Sequence, residues 1–266
     1  MVPCPSATFT VWASAWLVGA AAPDDVLDAL APWADAHDVQ AADDATAAAT
    51  ALPPPGAPVS SLPFLMATLR RAGPRAPARL VLPAPGDVRG LPGPGMFSRE
   101  ATAAGEGVLF ADVGLGIVPT PIADGVVRWS VYRVAEPGPA PEFVALSHAE
   151  RDLRDQVRQS ASVLTDLGVA RHRPGVREEI AASLRARPAT LWPAGMPAQA
   201  LRVLQHADEV EAILSAAYVD DPGGALSASA ATARRDALRP IETAVRVARR
   251  AAVAEAVRVL ATSPLV

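Results

Sequence analysis

The stretch Leu80–Gly95, LVLPAPGDVRGLPGPG, holds the residues of this sequence best placed to do chemistry. A short apolar run stops, and Asp87, Arg89, Gly90 and Gly93 follow within a loop that also carries Pro83, Pro85, Pro92 and Pro94. An arginine presents a planar fork of N–H donors that grips a carboxylate or phosphate through two parallel hydrogen bonds. Prolines stiffen the frame, so less ordering entropy is lost when a ligand binds. Arg99, just beyond the loop, and Arg128, in a later strand, complete a candidate set for an anionic small molecule. The same residues have a plainer reading, in which Asp87 caps a turn and Arg89 pairs with a neighbouring acid. At the level of sequence both readings stand.

Other chemistries find less support. A phosphate cradle needs consecutive backbone N–H groups, and here four prolines remove donors. No GK[ST] follows, and Gly90, Gly93 and Gly95 do not fit the dinucleotide fingerprint. There is no GxSxG, and Ser98 and Ser130 lack a nucleophile context. His37, His148, His172 and His206 are far apart without metal-ligand spacing, and the single cysteine, Cys4, lies close to the first residue. The Asp–Asp pairs at 24–25, 43–44 and 220–221 read as caps and turns. No catalytic residue, metal or cofactor is assigned.

Around this loop the chain must build a scaffold. Half of its 266 residues are hydrophobic but only 5% are aromatic, which favours close-packed helices with small contact residues. All 24 basic residues are arginine. One cysteine permits no intramolecular disulfide, which fits a reducing cytoplasm. The early apolar run TFTVWASAWLVGAAAPDD lacks the basic residues that precede a secretory core, the first arginine being Arg70, and no run reaches the ~18–20 apolar residues of a membrane span. The expectation is a soluble cytoplasmic protein with no membrane partner. Charge is uneven: residues 1–69 carry seven acids and no base, whereas 225–266 carry seven arginines and three acids. Arg239, Arg246, Arg249 and Arg250 could present a face to nucleic acid. The isoelectric point of about 5.6 and the lack of any DNA- or RNA-binding motif argue against it. A solvated helix face, or one that meets the acidic N-terminal region, is the simpler account.

The pattern then places elements. Trp12 and Trp16, with Ala13 and Leu17, form one helical stripe, and PDDVLDALAPW starts a second helix with Val26, Leu27, Leu30 and Trp33 on its apolar side. HDVQAA reads as a strand, and the Ala/Thr/Pro/Ser-rich stretch after it as a surface crossing. PFLMATLRRAG and MFSREATAAG read as short helices closed by Gly73 and Gly105, and ARLVLP as a strand. GVLFADVGLGIVPTPI reads as two strands broken by Gly114 and Gly116, followed by the alternating strand GVVRWSVYRVA after a turn at Gly125. These strands form a small antiparallel or mixed sheet, covered on one face by the preceding helices.

Beyond the Pro/Gly-rich stretch at 136–143 the chain reads as helix. Ser147 and Glu150 form a capping box for a helix to Gly168 with Leu153, Val157, Leu164 and Leu167 inward. The last helix carries Leu238, Ile241, Val245, Ala248 and Ala252, with Pro240 as a kink or restart.

The segments WASAWLVGAAAPDDVLDALAPWA, PGDVRGLPGPGMFSREATAAGEGV, GVVRWSVYRVAEP and LSHAERDLRDQV together resemble a family of uncharacterised actinobacterial proteins over most of the chain. The resemblance implies a shared architecture and brings no activity, cofactor or catalytic residue.

The expected fold is α+β, with an α+β part over 1–140 and a helical bundle over 145–266, packed together. The leading functional expectation is a non-enzymatic interaction or scaffold protein that forms a homo-oligomer or binds a protein partner. The alternative is an anion-binding protein or enzyme with its site on the 83–95 loop.

Overall fold

In the computed structural model, the described residues are 4–135, 138, 143–166, 175–185, 192–219 and 228–262. They fall into two compact units. One holds 4–135, 138, 192–197 and 253–262; the other holds 143–166, 175–185, 198–219 and 228–252. The fold is α+β, and the sheet lies wholly in the first unit.

Helix α1 (Pro5–Leu17) is buried from Pro5 to Trp16. The sequence stripe predicts one inward face, but no charged residue occurs in this helix, so no side of it requires water. Three of its four hydroxyl side chains find internal partners, that of Ser6 being the exception. The Thr10 hydroxyl donates to the Ser6 carbonyl at 2.6 Å, Thr8 Oγ1 accepts from Trp33 Nε1 at 3.1 Å, and Ser14 Oγ accepts from the Ala78 amide at 3.2 Å. In its first turn, where backbone N–H groups lack partners within the helix, the Ser6 amide donates to the buried carboxylate of Glu106 at 2.9 Å. Pro23 opens α2 (Pro23–Leu30), where Asp25 reaches back to the Ala22 amide at 2.8 Å, giving the helical opening that the sequence suggests. Trp33 lies just past it, in a 3₁₀ turn.

Strand β1 (Ala36–Ala41) leads to α3 (Asp44–Thr50), where the sequence suggests a bare crossing. The Asp43–Asp44 pair that reads as a cap or turn caps this helix: Asp43 accepts from the Thr46 amide at 2.6 Å, and the alanines that follow are strong helix formers. Helix α4 (Leu62–Ala72) ends at Gly73, strand β2 (Arg79–Val81) follows, and α5 (Met96–Ala104) ends at Gly105, both glycines left-handed.

Strands β3 (Gly107–Phe110), β4 (Leu115–Ala123) and β5 (Val126–Arg133) complete a five-stranded mixed sheet ordered β1-β5-β4-β3-β2. Only β1 and β5 run parallel. One face packs Val39, Val108, Phe110, Ile117, Trp129 and Val131 under α1, α2 and α4. The other packs Val81, Leu109, Val118 and Tyr132 against Phe97 and Ala101 of α5. Helices therefore cover both faces, not the single face expected. Gly114 separates β3 from β4, whereas Gly116 lies inside β4 and makes room for the Phe97 ring.

The second unit is helical: α6 (Leu146–Asp166), α7 (Val176–Arg185), α8 (Ala198–Val219) and α9, which runs Ala228–Thr262 and continues into the first unit beyond Ala252. Ser147 lies within α6 rather than at its cap. The Ala145 carbonyl accepts from the His148 and Ala149 amides, and Glu150 instead takes Arg154 and Gln199. Leu153 is fully buried and Val157 half-buried; the side chains of Leu164 and Leu167 and the end at Gly168 lie outside the described residues. Helix α9 continues through Pro240 without a restart, and Leu238, Ile241, Val245, Ala248 and Ala252 are all buried.

Candidate functional site

The loop after β2 is shaped by its turn residues. Ala84 and Asp87 exchange two backbone hydrogen bonds, of 2.9 and 2.8 Å, around Pro85–Gly86. Proline presets the first central position, and Gly86 takes the positive φ of 82° required at the second. Gly90 and Gly93 also have positive φ, and the Ser98 hydroxyl donates to the Gly93 carbonyl, tying the loop to the first turn of α5.

Within this frame the acid and base satisfy each other. Asp87 accepts from Arg89 Nε at 2.7 Å, from its Nη2 at 2.8 Å and from its backbone amide at 3.3 Å. The Arg89 side chain remains 58% exposed, so an anion would have to compete both with water and with Asp87. Arg99 is an exposed residue of α5, the helix into which the loop leads. Arg128 is not gathered with the rest. It faces Asp38 across the β1–β5 pair at 3.4 Å, and β5 is separated from β2 by two strands, about 14 Å of sheet. The structure thus brings Asp87, Arg89, Gly90 and Gly93 together, with Arg99 adjoining in sequence and Arg128 elsewhere.

A second feature lies in the helical unit. Ala149, Asp152 and Gln156 of α6 and Arg239, Pro240, Thr243, Ala244 and Val247 of α9 line an open groove of about 410 Å³. Ala149 and Ala244 are buried and form its floor. Asp152 belongs to the α6 side and Arg239 to the α9 side, where Arg239 lies 3.7 Å from Asp236 of its own helix. Neither Asp152 nor Gln156 follows from the sequence pattern; the one available signal was Pro240, a proline inside an otherwise regular amphipathic helix.

Two other arginines of α9 pair with nearby acids. Arg249 is buried between Asp208 and Glu211 of α8, and Arg258 pairs with Glu255 one turn away. Among the described residues no group of three His, Cys, Asp or Glu side chains could hold a metal ion, and no helix is long and apolar enough to cross a membrane.

The histidine on β1 has a structural assignment. Trp129 Nε1 donates to His37 Nδ1 at 3.0 Å, so the ring proton resides on Nε2, which donates to the Leu30 carbonyl at 3.1 Å. Burial pushes the His37 pKa below its ordinary value, only partly opposed by that carbonyl. Below pH ~6.5 the unfolded chain therefore takes up a proton that the folded chain resists, and stability falls; above it the contribution is constant. His37→Asn, which keeps an acceptor for Trp129 but does not titrate, is expected to lose less stability than the parent between pH 7 and 5 in thermal denaturation. Parallel pH profiles would show that the histidine does not carry this dependence.

With the geometry established, comparison with known proteins places the chain. The N-terminal domain model of the Rv1486c-like proteins matches residues 6–143, and their C-terminal domain model matches residues 147–250. The chain belongs to the Rv1486c-like family. It is 40% identical to "Uncharacterized protein Rv1486c" of Mycobacterium tuberculosis (strain ATCC 25618 / H37Rv) over 282 aligned positions, covering 94% of this chain and 96% of the relative. It is 35% identical to "Uncharacterized protein ML1804" of Mycobacterium leprae (strain TN) and 31% identical to "Uncharacterized protein MAV321" of Mycobacterium avium, with the same coverage. No solved structure matches. The actinobacterial resemblance read from the sequence is the family relationship these matches establish.

Proposed function

We propose that this member of the Rv1486c-like family is a non-enzymatic interaction protein that works in the cytoplasm by binding protein surfaces and by self-association. The observation that carries this reading is the α6–α9 groove. Small-molecule sites enclose most of their ligand's surface. This groove is open, has buried Ala149 and Ala244 among its lining, and carries Asp152 on its α6 side and Arg239 on its α9 side. That shape suits the side chains of another protein, which approach as ridges entering the channel between two helices. The cytoplasmic part of the proposal rests on the single cysteine.

The anion-binding alternative is tested on the 83–95 loop. A thermal-shift screen of the protein and of Arg89→Ala, using inorganic phosphate, carboxylate metabolites and nucleotides, is expected to give no shift that depends on Arg89. A ligand present at one hundred times its dissociation constant would add about 2.7 kcal/mol, well within reach of such a screen. A shift that is present in the parent and lost in Arg89→Ala would overturn the interaction reading in favour of a ligand site. Without ligand, Arg89→Ala is expected to change stability by less than about 1 kcal/mol, since the arginine side of the pair is solvent-exposed.

A further inference from the structure

We propose that the occupant of the α6–α9 groove is the same groove of a second copy of this chain, related by a two-fold axis, with Arg239 of each copy meeting the partner's Asp152. This inference rests on the self-association proposed above and specifies the surface that performs it.

In a two-fold interface, if residue i of one copy meets residue j of the other, then j also meets i. A surface that pairs with itself must therefore carry both members of each ion pair. The groove meets this condition with Asp152 on the α6 wall and Arg239 on the α9 wall. Arg239 is extended into solvent, with 76% of its side chain exposed, and its contact with Asp236 is a long pair between exposed groups on one helix turn. Such a pair contributes little and is readily exchanged for a better one. A partner of one sign would satisfy one wall and be repelled by the other. A second copy satisfies both.

The lining fits the same occupant. Ala149 and Ala244 keep the floor low, so that a facing helix can approach closely. Pro240 has no backbone N–H and presents an exposed ring, adding apolar surface to the rim without another polar group to satisfy. The Thr243 hydroxyl is already engaged with the Arg239 carbonyl at 3.1 Å and with Arg246 Nη2 at 3.1 Å, which leaves Gln156 as the adaptable hydrogen-bonding side chain of the groove. A stable dimer buries about 800 Å² on each partner. The groove would form its centre, and α6, 21 residues or about 32 Å long, offers the turns on either side.

The test uses the full chain and three proteins in sedimentation equilibrium: the parent, Asp152→Arg and Arg239→Asp. Both substituted residues are solvent-facing, and unchanged far-ultraviolet circular dichroism verifies folding. The parent is expected to dimerise. Each variant alone is expected to dimerise at least about tenfold more weakly, because two like-charge contacts replace two ion pairs. Mixed in equal amounts, the two variants are expected to form a heterodimer approaching parental affinity, because both contacts become Arg–Asp again. A dimer of parental strength in both variants would overturn the assigned surface and leave self-association standing. Weakened variants that fail to recover on mixing would overturn the Arg239–Asp152 pairing. A parent that is monomeric at every concentration would overturn the self-association reading itself.

Discussion

Arg249→Ala is expected to destabilise the protein by about 3 kcal/mol. Arg249 is 5% exposed, and its Nη2 lies 2.6 Å from Asp208 and 2.9 Å from Glu211, two carboxylates three residues apart on α8. Its guanidinium therefore joins α9 to α8 through two charge-assisted hydrogen bonds in a place water reaches poorly. Without it, two neighbouring carboxylates face each other across the vacated space. Breaking a buried ion pair by removing one partner costs about 3–5 kcal/mol. The lower end applies here, because the Asp208 and Glu211 side chains keep 40% and 19% of their surface in contact with solvent. Combining Arg249→Met with Asp208→Asn and Glu211→Gln should recover much of the loss, since it removes both carboxylate charges together with the arginine that pairs with them. Urea denaturation followed by helical circular dichroism measures both variants. A loss below about 1 kcal/mol for Arg249→Ala would mean that the clamp contributes no more than a surface pair.

Gly116→Val is expected to cost about 3 kcal/mol by a different route. A Cβ at this position would lie 2.3 Å from Phe97 Cδ2 and 2.7 Å from Cγ, far inside van der Waals contact. The ring has no easy retreat. Phe97 is 2% exposed, and its centroid lies 6.1 Å from that of Tyr132. Either α5 lifts from the sheet or β4 bends, and in both cases the packing around Val118 and Leu109 loosens. Phe97→Leu in the same chain should return part of the loss, because a shorter side chain vacates the contested volume. Thermal denaturation of the single and double variants tests this through their non-additivity. Simple addition of the two single effects would contradict it.

These two residues also show what the sequence could convey. Local patterns carried most of the elements: the glycine-terminated helices α4 and α5, the alternating strand β5 and the apolar stripe of α9 all follow from spacing and stop signals within a dozen residues. Gly116 was misread because a glycine in a strand signals either a break or a close approach, and only the position of Phe97, 19 residues away in sequence, distinguishes them. The Asp43–Asp44 pair reads as a cap or turn, but the alanine- and proline-rich composition after it conceals the short helix that the cap opens. The burial of α1 on all sides depends on partners such as Glu106, which meets Ser6 across 100 residues of chain.

The candidate site divides in the same way. Asp87 and Arg89 are two residues apart, so their mutual pairing was legible beside the ligand reading. The groove was not, because Asp152 and Arg239 belong to distant helices and neither has a distinctive sequence context. Long-range juxtaposition in a chain of alanine-rich helices leaves almost no local trace.

This protein is proposed to act by associating through its helical unit, beginning with a second copy of itself. The most direct measurement is the molar mass of the untagged full chain across a hundredfold range of concentration, by light scattering on a sizing column. The mass is expected to rise with concentration from one chain of 27.4 kDa towards two. A mass that stays at one chain throughout would contradict it.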